Sequence, residues 1–393
     1  MKITKVDVIL VQDADEEARG RRPVFCRIYT DEGIFGDGEA GVIYGVASPA
    51  AFEMVKDLAI RIIGSNPLNN EDLWERMYRT TFWCQNGGPI TFAGMSAIDM
   101  ALWDIKGKFF NAPVHMLLGG RMRDSLRAYA SQLQFGWGES RKPALTAADY
   151  ADSAMAALRD GYDAIKYDFL ELNEYGQPFA RDERMGLLRP QMIDLIERRV
   201  SAIREAIGKD VEIIVENHGI IDSQGAVQIG RALEKYNIFY FEEPSTPDPT
   251  LTKYISERIR IPLAGGERIY TRWQYSKYFE DHSLQVIQPD IGNCGGITEV
   301  KKICDMAYTY DVSVQPHVCA SPLSTAAALQ VEAAIPNFLI HEQHFSNLFA
   351  ANKALCIYDY QPTNGKFAIP DLPGIGNSLS DYAMNSFKKH TVS

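Results

Sequence analysis

Short apolar runs alternate with amphipathic helical patterns along most of the chain. From residue 127 onward, each run typical of a buried strand is followed by a segment with the apolar spacing of a helix. Strands that alternate with helices favour a parallel sheet, because successive parallel strands need a crossover connection. The predicted strands are 127–132, 164–168, 212–216, 238–242, 262–267, 284–290, 313–317 and 338–342. Eight such units predict a closed barrel of the (β/α)8 type.

The first part of the chain has a different order of elements. Its patterns predict strands at 3–10, 24–29 and 34–39, followed by helices at 50–63, 70–80 and 95–109. This order predicts an α+β domain over residues 1–125, ahead of a barrel domain over residues 126–350. The remaining segment, 351–393, is rich in proline and glycine, and we expect it to pack on the first domain.

Three polar segments interrupt these patterns. Residues 13–22 are highly charged and predict a mobile loop, and residues 171–184 predict a loop insertion in the barrel. Residues 82–88 combine aromatic, polar and glycine residues. The first or the third segment could cover the barrel mouth as a lid, which makes Arg19 and Trp83 candidate substrate contacts. The alternative for the loop arginines is ordinary solvated charge.

Composition and charge narrow the classes of function. The formal net charge of −11 disfavours nucleic acid as a main partner, since phosphate binding needs a basic face. The six cysteines form no C-x-x-C pair, which gives no signal for a thiolate zinc site and suits a reducing compartment. No apolar run approaches the roughly 20 residues that span a bilayer, and the N-terminus lacks a signal-peptide profile. We therefore expect a cytoplasmic protein without membrane contact.

Polar side chains follow the apolar run in nearly every barrel unit, and the carboxyl ends of barrel strands all face one mouth. They are Glu216, Glu242, Glu267, Asp290, His317 and Glu342, at intervals of 23 to 27 residues. The three glutamates on consecutive strands would repel one another unless a cation neutralises them. All-oxygen ligands favour Mg²⁺, Ca²⁺ or Mn²⁺ over Zn²⁺. The pattern predicts a divalent cation, Mg²⁺ by preference, on Glu216, Glu242 and Glu267, whereas one such glutamate alone would more often be solvated.

Two histidines accompany these carboxylates. His218 follows the first of the three glutamates by two residues, on the same face of the strand. Asp290 and His317 end neighbouring strands, where the carboxylate would orient the imidazole as a general base. Lys166 and Asp168 end the second barrel strand, and both could face the mouth only if the strand ends in a bend. Asp168 could instead form a salt bridge with a neighbour.

Several longer motifs mark a resemblance to a known family. They are MSAIDMALWDIKGK at 95–108, FEEP at 241–244, GGER at 265–268, QPD at 288–290 with GGITE at 295–299, and QPH at 315–317. With these motifs the chain resembles the enolase superfamily, in its mandelate racemase-like branch, over nearly its whole length. The resemblance implies an α+β capping domain on a modified (β/α)7β barrel. It also implies abstraction of the proton alpha to a carboxylate, giving an enediolate stabilised by Mg²⁺.

Within this branch, the chain is most similar to acid-sugar dehydratases of the D-galactonate type. The resemblance implies that His317, oriented by Asp290, removes the alpha proton. His218 would donate a proton to the departing 3-hydroxyl as general acid. Lys166 and Glu342 would stabilise the substrate carboxylate or the enediolate. The product would then be a 2-keto-3-deoxy acid.

Two departures from the family's pattern affect these roles. Racemases of this branch have a Lys-x-Lys pair on the second barrel strand, whereas this chain has Lys166-Tyr167-Asp168. The lysine base for one face is therefore missing, which disfavours a two-base racemase. Glu216 stands where the first metal ligand is usually an aspartate. The candidate substrate contacts are Asp168, Arg268 of the GGER motif, Trp83 and Arg19.

The resemblance leaves several functions open. The same intermediate serves racemases, epimerases and cycloisomerases of carboxylates, and mannonate or gluconate are alternative sugar acids. A catalytically silent metal-binding regulator is a further alternative, since a barrel fold by itself does not define function. Our prediction is a Mg²⁺-dependent dehydratase that acts on a small-molecule sugar acid, an aldonate or an aldarate. Relatives suggest a homo-oligomer, from dimer to octamer.

Overall fold

The computed structural model describes residues 1–11, 21–44, 46–138 and 142–393. The strands are β1 (Ile3–Leu10), β2 (Val24–Thr30), β3 (Phe35–Ala40), β4 (Ser125–Ser131), β5 (Ala164–Asp168), β6 (Glu212–Glu216), β7 (Ile238–Glu242), β8 (Leu263–Gly265), β9 (Val286–Ile287), β10 (Ser313–Val314), β11 (His341–His344), β12 (Lys366–Ala368) and β13 (Lys388–Val392). The helices are α1 (Ala47–Ile60), α2 (Asn70–Thr80), α3 (Pro89–Phe109), α4 (Val114–Leu117), α5 (Ala147–Arg159), α6 (Pro190–Ile207), α7 (Ser223–Leu233), α8 (Pro249–Ser256), α9 (Thr271–Glu280), α10 (Gly296–Tyr308), α11 (Pro322–Ala334), α12 (Ala350–Lys353) and α13 (Asp381–Asn385).

The capping domain consists of an antiparallel sheet with helices packed on it. The strand order is β13-β1-β2-β3. Helix α3 is apolar on most of its surface because it lies between this sheet and the barrel. On the sheet side the approach is close, since a Cβ at Gly38 would lie 1.9 Å from the carbonyl oxygen of Ala97. On the barrel side Trp103 donates to the Thr298 hydroxyl at 2.8 Å.

The second sheet is parallel, and its strands run in the order β10-β9-β8-β7-β6-β5-β4-β11. A parallel bridge between Val314 and Phe338 joins its two ends, so that the sheet closes into a barrel. Helices α5 to α11 each connect one strand to the next, and β11 completes the barrel. This order is (β/α)7β, and the predicted fold, a modified (β/α)8 barrel with an α+β cap, is confirmed.

Alternate side chains of the strands fill the barrel interior. One buried cluster consists of Tyr129, Ala164, Ile214, Tyr240, Ala264, Val286 and Ile340. Residues two apart share a face of a strand, so Lys166, Glu216 and Glu242 lie directly above members of this cluster. The apolar layer thus fixes the position along the barrel axis at which these polar side chains meet.

Three barrel strands are shorter than the sequence pattern predicts. The prediction extended them to Glu267, Asp290 and His317, whereas β8, β9 and β10 end at Gly265, Ile287 and Val314. Two of these extensions contain a proline, Pro289 or Pro316, which has no N–H to continue the ladder. The polar residues therefore lie on loops just beyond the strands, which places them around the mouth.

The C-terminal segment contacts both domains. Strand β12 pairs antiparallel with β4 of the barrel, and β13 pairs antiparallel with β1 of the cap. Between them, the backbone N–H of Leu379 donates to Asp37 of β3 at 3.1 Å. No helix in the described part of the chain combines the length and apolar character needed to cross a membrane.

Candidate active site

Three carboxylates converge at the mouth of the barrel. Glu216 and Glu242 end β6 and β7 and are paired in register, while Glu267 follows β8 by two residues. One oxygen of each lies within 4.8 Å of the others. The intervening Gly266 has φ of +150°, and a Cβ there would lie 2.3 Å from the Tyr275 hydroxyl. Glycine is therefore needed to turn the chain so that Glu267 reaches the cluster.

Lys166 is the cation nearest to these carboxylates. Its Nζ lies 2.9 Å from Glu216 Oε2, 2.5 Å from Glu242 Oε1 and 3.0 Å from Glu342 Oε1. The lysine is buried, and these three ion pairs outweigh the effect of burial and raise its pKa well above the ordinary value. Glu267 joins this cluster, so Lys166 is shared among four neighbouring carboxylates, and burial together with the charge of Glu216 raises the pKa of Glu242 well above its ordinary value.

The remaining oxygens of two glutamates fit a metal ion. Glu216 Oε1 and Glu242 Oε2 are buried and accept no hydrogen bond from the described residues. A buried carboxylate oxygen without a partner is costly, and a hard divalent cation prefers such oxygens. Each glutamate thus presents one oxygen to Lys166, while its other oxygen accepts no hydrogen bond. Together with Glu267 these residues could hold Mg²⁺.

His317 and Asp290 form the contact that the sequence predicted. Nδ1 of His317 lies 2.6 Å from Asp290 Oδ2, and Nε2 lies 3.4 Å from Glu267 Oε2 and 4.0 Å from Glu342 Oε2. Burial disfavours the charged imidazole, but Glu267 and the bond to Asp290 outweigh it, so the pKa of His317 is raised. The aspartate holds the ring with Nε2 toward the carboxylate cluster.

His218 has a corresponding partner in Asp168. Nδ1 lies 2.7 Å from Asp168 Oδ2, and Nε2 lies 3.6 Å from Glu216 Oε1. Burial opposes the charge, but Glu216 and Asp168 raise the pKa of His218 to about 10. The other oxygen of the fully buried Asp168 accepts from the N–H of Leu170 at 2.8 Å. Asp168 thus pairs with a neighbouring side chain, the alternative that the sequence left open, and it orients His218.

Glu342, on β11, closes the ring of polar residues. It accepts from Ser131 at 2.7 Å and from the N–H of Val318 at 3.0 Å. Burial raises its pKa, but the charges of Lys166 and His317 outweigh burial and hold the pKa well below the ordinary value. Glu342 therefore remains ionised beside the two cations.

One cavity of about 470 Å³ contains most of the predicted catalytic and metal-binding side chains. Lys166, Glu216, His218, Glu267, His317 and Glu342 line it. The volume is within the range typical of small-molecule sites, roughly 300–1,000 Å³. The structure therefore brings together residues from β5 to β11 at one mouth.

Two predicted substrate contacts, Trp83 and Arg268, do not line the cavity. Trp83 is 89% exposed and does not line it. Arg268 also lies outside the lining, because its guanidinium pairs with Glu243 at 2.9 Å and lies 3.5 Å from Glu267. Neither side chain lines the cavity, and direct substrate contact by Trp83 and Arg268 stays a prediction. Arg19 lies outside the described residues.

Sequence reasoning missed several lining residues. Gln132 directly follows β4 and donates to Glu216 Oε2 at 2.9 Å. Gln132 is a polar residue at the end of the first barrel strand, and this position could have identified it as a residue of the site. Arg21 and Tyr44 come from the capping domain and Glu171 from the loop after β5. The sequence left Arg21, an arginine of the charged segment 13–22, open between a residue that covers the mouth and solvated charge, and the structure buries it.

Family comparisons agree with this architecture. Residues 149–383 match the model described as enolase C-terminal domain-like. Residues 7–119 match the mandelate racemase / muconate lactonizing enzyme N-terminal domain. The chain therefore belongs to the enolase superfamily, in its mandelate racemase/muconate lactonizing enzyme branch, whose members are enzymes.

Solved structures give the same assignment. A member of the enolase superfamily from Salmonella Typhimurium is 48% identical, with a TM-score of 0.96 and full coverage of both chains. A protein from Zymomonas mobilis ZM4, called a "putative dehydratase", is 46% identical with a TM-score of 0.97, over 100% of this chain and 99% of that one. A mandelate racemase/muconate lactonizing enzyme from Jannaschia sp. CCS1 is 30% identical with a TM-score of 0.88, over 99% and 98% of the two chains.

Proposed function

We propose that the protein is a Mg²⁺-dependent dehydratase of a sugar acid, either an aldonate or an aldarate. The observation that supports this best is a pair of histidines at one carboxylate cluster, each hydrogen-bonded to its own aspartate. His218 lies beside Glu216, and His317 lies beside Glu267. Dehydration needs one group that removes the alpha proton and another that protonates the leaving hydroxyl. The cavity has a histidine for each task, and four of the similar structures carry dehydratase names.

His317 is the proposed base. Its Nδ1 is bound to Asp290, so the alpha proton would be taken at Nε2, the atom nearer to Glu267. Asp290 fixes the ring and stabilises the imidazolium that forms. A divalent cation bound to the three glutamates would stabilise negative charge on the substrate carboxylate, and its charge would also counteract the carboxylates that hold a proton on His317.

His218 is the proposed acid for the 3-hydroxyl. Asp168 binds its Nδ1, which leaves Nε2 as the atom that can donate to the leaving group. Lys166 would bind the carboxylate end of the substrate as an ammonium donor. Glu342 would hydrogen-bond to that end only after taking up a proton, because an ionised carboxylate only accepts. Loss of water then gives an enol, which ketonises to a 2-keto-3-deoxy acid.

The position of Asp168 disfavours the racemase alternative. A two-base racemase of this branch would have a second lysine there, facing the substrate. Here the residue is buried and both of its oxygens are used, on His218 and on the backbone of Leu170. A single lysine, Lys166, therefore remains on this strand, and it is engaged with three carboxylates.

The proposal is tested by incubating hexonates, pentonates and aldarates with the protein and Mg²⁺ and measuring 2-keto acid. His317→Asn should abolish turnover of any substrate found, a loss of roughly 10²- to 10⁴-fold. His282→Asn is the matched control, because His282 is exposed and lies outside the cavity. Solvent deuterium uptake without loss of water would instead identify a racemase or epimerase. Near-wild-type turnover by His317→Asn would refute the assignment of the base.

A further inference from the structure

One cationic side chain at the cavity has no part in the chemistry above. Arg21, from the capping domain, lines the cavity, and only 5% of the residue is exposed. Its Nη2 lies 3.4 Å from the carbonyl oxygen of Cys319 and 3.2 Å from that of Ala320. These contacts hold the guanidinium against the loop that follows His317. Its Nε is buried and has no hydrogen-bond partner in the described part of the chain.

Among the residues that the structure describes, no carboxylate forms an ion pair with Arg21. Within the described ranges, no carboxylate oxygen lies within 4.0 Å of its side-chain nitrogens. Glu39 is close enough to feel the charge, but its oxygens accept from Ser321 and Ser324. Glu342, also at the cavity, is paired with Lys166. A buried guanidinium without a counter-ion is costly, and an anionic ligand would offset that cost.

The polar groups beside Arg21 are uncharged near pH 7. The guanidinium lies 5.6 Å from the ring centroid of Tyr44, and the Tyr44 hydroxyl lies 3.1 Å from the Cys319 thiol. Burial raises the pKa of Cys319 to about 11, so the thiol keeps its proton. A phenol is also neutral at this pH. Neither group supplies negative charge to Arg21.

We propose that Arg21 binds a carboxylate at the far end of the substrate, and that the enzyme therefore prefers aldarates to aldonates. This inference rests on the proposed function and names its substrate class. An aldarate has a carboxylate at each end, so one can be held near Lys166 while the other meets the guanidinium. Arginine is suited to this task because its donors match a carboxylate in a fork geometry. A terminal phosphate is also negatively charged, so the test must distinguish a substrate with a terminal carboxylate from one with a terminal phosphate.

The test compares matched pairs of a hexarate and the hexonate of the same configuration. The wild-type kcat/KM should be higher for the hexarate. Arg21→Met should lower the hexarate-to-hexonate ratio of kcat/KM by roughly 10- to 100-fold, as expected for the loss of charged hydrogen bonds, mainly through KM. Arg21→Lys should retain part of the preference. Arg79→Met, an exposed arginine of the same domain, is the control and should leave the ratio unchanged.

Several results would overturn the inference. If the wild-type enzyme has equal kcat/KM for the hexarate and the hexonate, a preference for diacids is excluded without any variant. An equal loss on both substrates in Arg21→Met and Arg21→Lys would mean that Arg21 only supports the loop at Cys319. Higher kcat/KM for a 6-phosphohexonate than for the hexarate would assign the position to phosphate. The absence of dehydration with any sugar acid would refute the proposed function itself, which is a distinguishable outcome.

Discussion

At the scale of single residues, Lys166 decides how the carboxylate cluster is arranged. Its three ion pairs are with Glu216, Glu242 and Glu342, and each holds one oxygen of a buried glutamate. The free oxygens of Glu216 and Glu242 are thereby left for a cation. Lys166 therefore both neutralises the cluster in part and selects the atoms that remain available to a metal.

We predict that Lys166→Met destabilises the protein strongly in the absence of a divalent cation. The change leaves buried carboxylates without their common partner, a loss that typically costs about 3–5 kcal/mol. Added Mg²⁺ should recover part of the loss, because it supplies positive charge to the same side chains. Thermal unfolding with EDTA and with Mg²⁺ measures both effects.

The control for this variant is Lys302→Met, which removes a surface pair with Glu71 worth at most about 1 kcal/mol. Its unfolding midpoint should change little and should respond to Mg²⁺ as the wild type does. An unchanged midpoint for Lys166→Met in EDTA would show that Lys166 does not stabilise the cluster.

We predict that Asp168→Asn separates the two proton transfers. The variant weakens the hydrogen bond that orients His218 but leaves the pair of His317 and Asp290 intact, since these two residues lie on the loops after β9 and β10. Dehydration should fall by roughly 100-fold or more, while exchange of the alpha proton with solvent continues. Proton NMR in D₂O measures exchange and product formation in the same sample. The control is Asp152→Asn, at an exposed position on α5. If Asp168→Asn lost dehydration and proton exchange in parallel, the separate roles of His218 and His317 would be contradicted.

At the scale of elements, buried carboxylates join the cap to the barrel helices. Asp99 of α3 accepts from the N–H of Thr298 at 2.9 Å and from its hydroxyl at 2.6 Å, at the start of α10. Glu39 of β3 accepts from Ser321 and Ser324 at the start of α11. Both contacts place an acid at a helix N-terminus, where the helix dipole favours negative charge.

We predict that Asp99 makes the stability of the fold depend on pH. Burial raises the pKa of Asp99 from 3.8 to about 7, because it outweighs the hydrogen bonds from Thr298. The folded state thus binds this proton more tightly than the unfolded chain. Its contribution is fully present below about pH 4 and is lost as the pH rises to about 7, a change of a few kcal/mol.

Asp99→Asn should flatten this part of the pH profile of unfolding free energy, measured by denaturant titration at a series of pH values. The slope should not vanish, because burial also raises the pKa of Asp104 to about 6. Asp72→Asn, on the exposed side of α2, should leave the slope as in the wild type. If Asp99→Asn instead made the unfolding free energy depend more steeply on pH, the predicted direction of the Asp99 contribution would be wrong.

At the scale of the whole molecule, a cation at the mouth would bind only the folded barrel. The three ligand residues are separated by 25 and 26 positions in sequence and meet only after the strands align. We predict that Mg²⁺ raises the thermal unfolding midpoint, by an amount equivalent to about 2.7 kcal/mol at 100 times its Kd. EDTA should remove the effect, which differential scanning fluorimetry can measure.

The matched variant for this prediction is Glu267→Gln, which keeps the size of the side chain and removes one charged ligand. Its midpoint should respond far less to Mg²⁺ than that of the wild type. Glu280→Gln, at the exposed end of α9, should respond normally. An identical response of Glu267→Gln and the wild type would place the cation elsewhere.

Much of the fold could be predicted from local patterns. The eight barrel strands and the helices between them follow from apolar periodicity, because each element buries one face against a common core. The strand limits were less accurate at β9 and β10, where Pro289 and Pro316 end the ladder early. The helix α3 begins six residues before the prediction, with Pro89 at its first turn.

The sequence by itself determined the barrel and its three converging glutamates, because parallel strands of regular spacing bring their carboxyl ends to one mouth. It did not determine which side chains pair there. The bond between Asp168 and His218 joins residues 50 apart, and the contact of Arg21 with Ala320 joins residues 299 apart. Such pairings depend on barrel closure and on where the cap docks. For that physical reason, only the tertiary structure assigned Asp168 to His218 and placed Arg21 at the cavity.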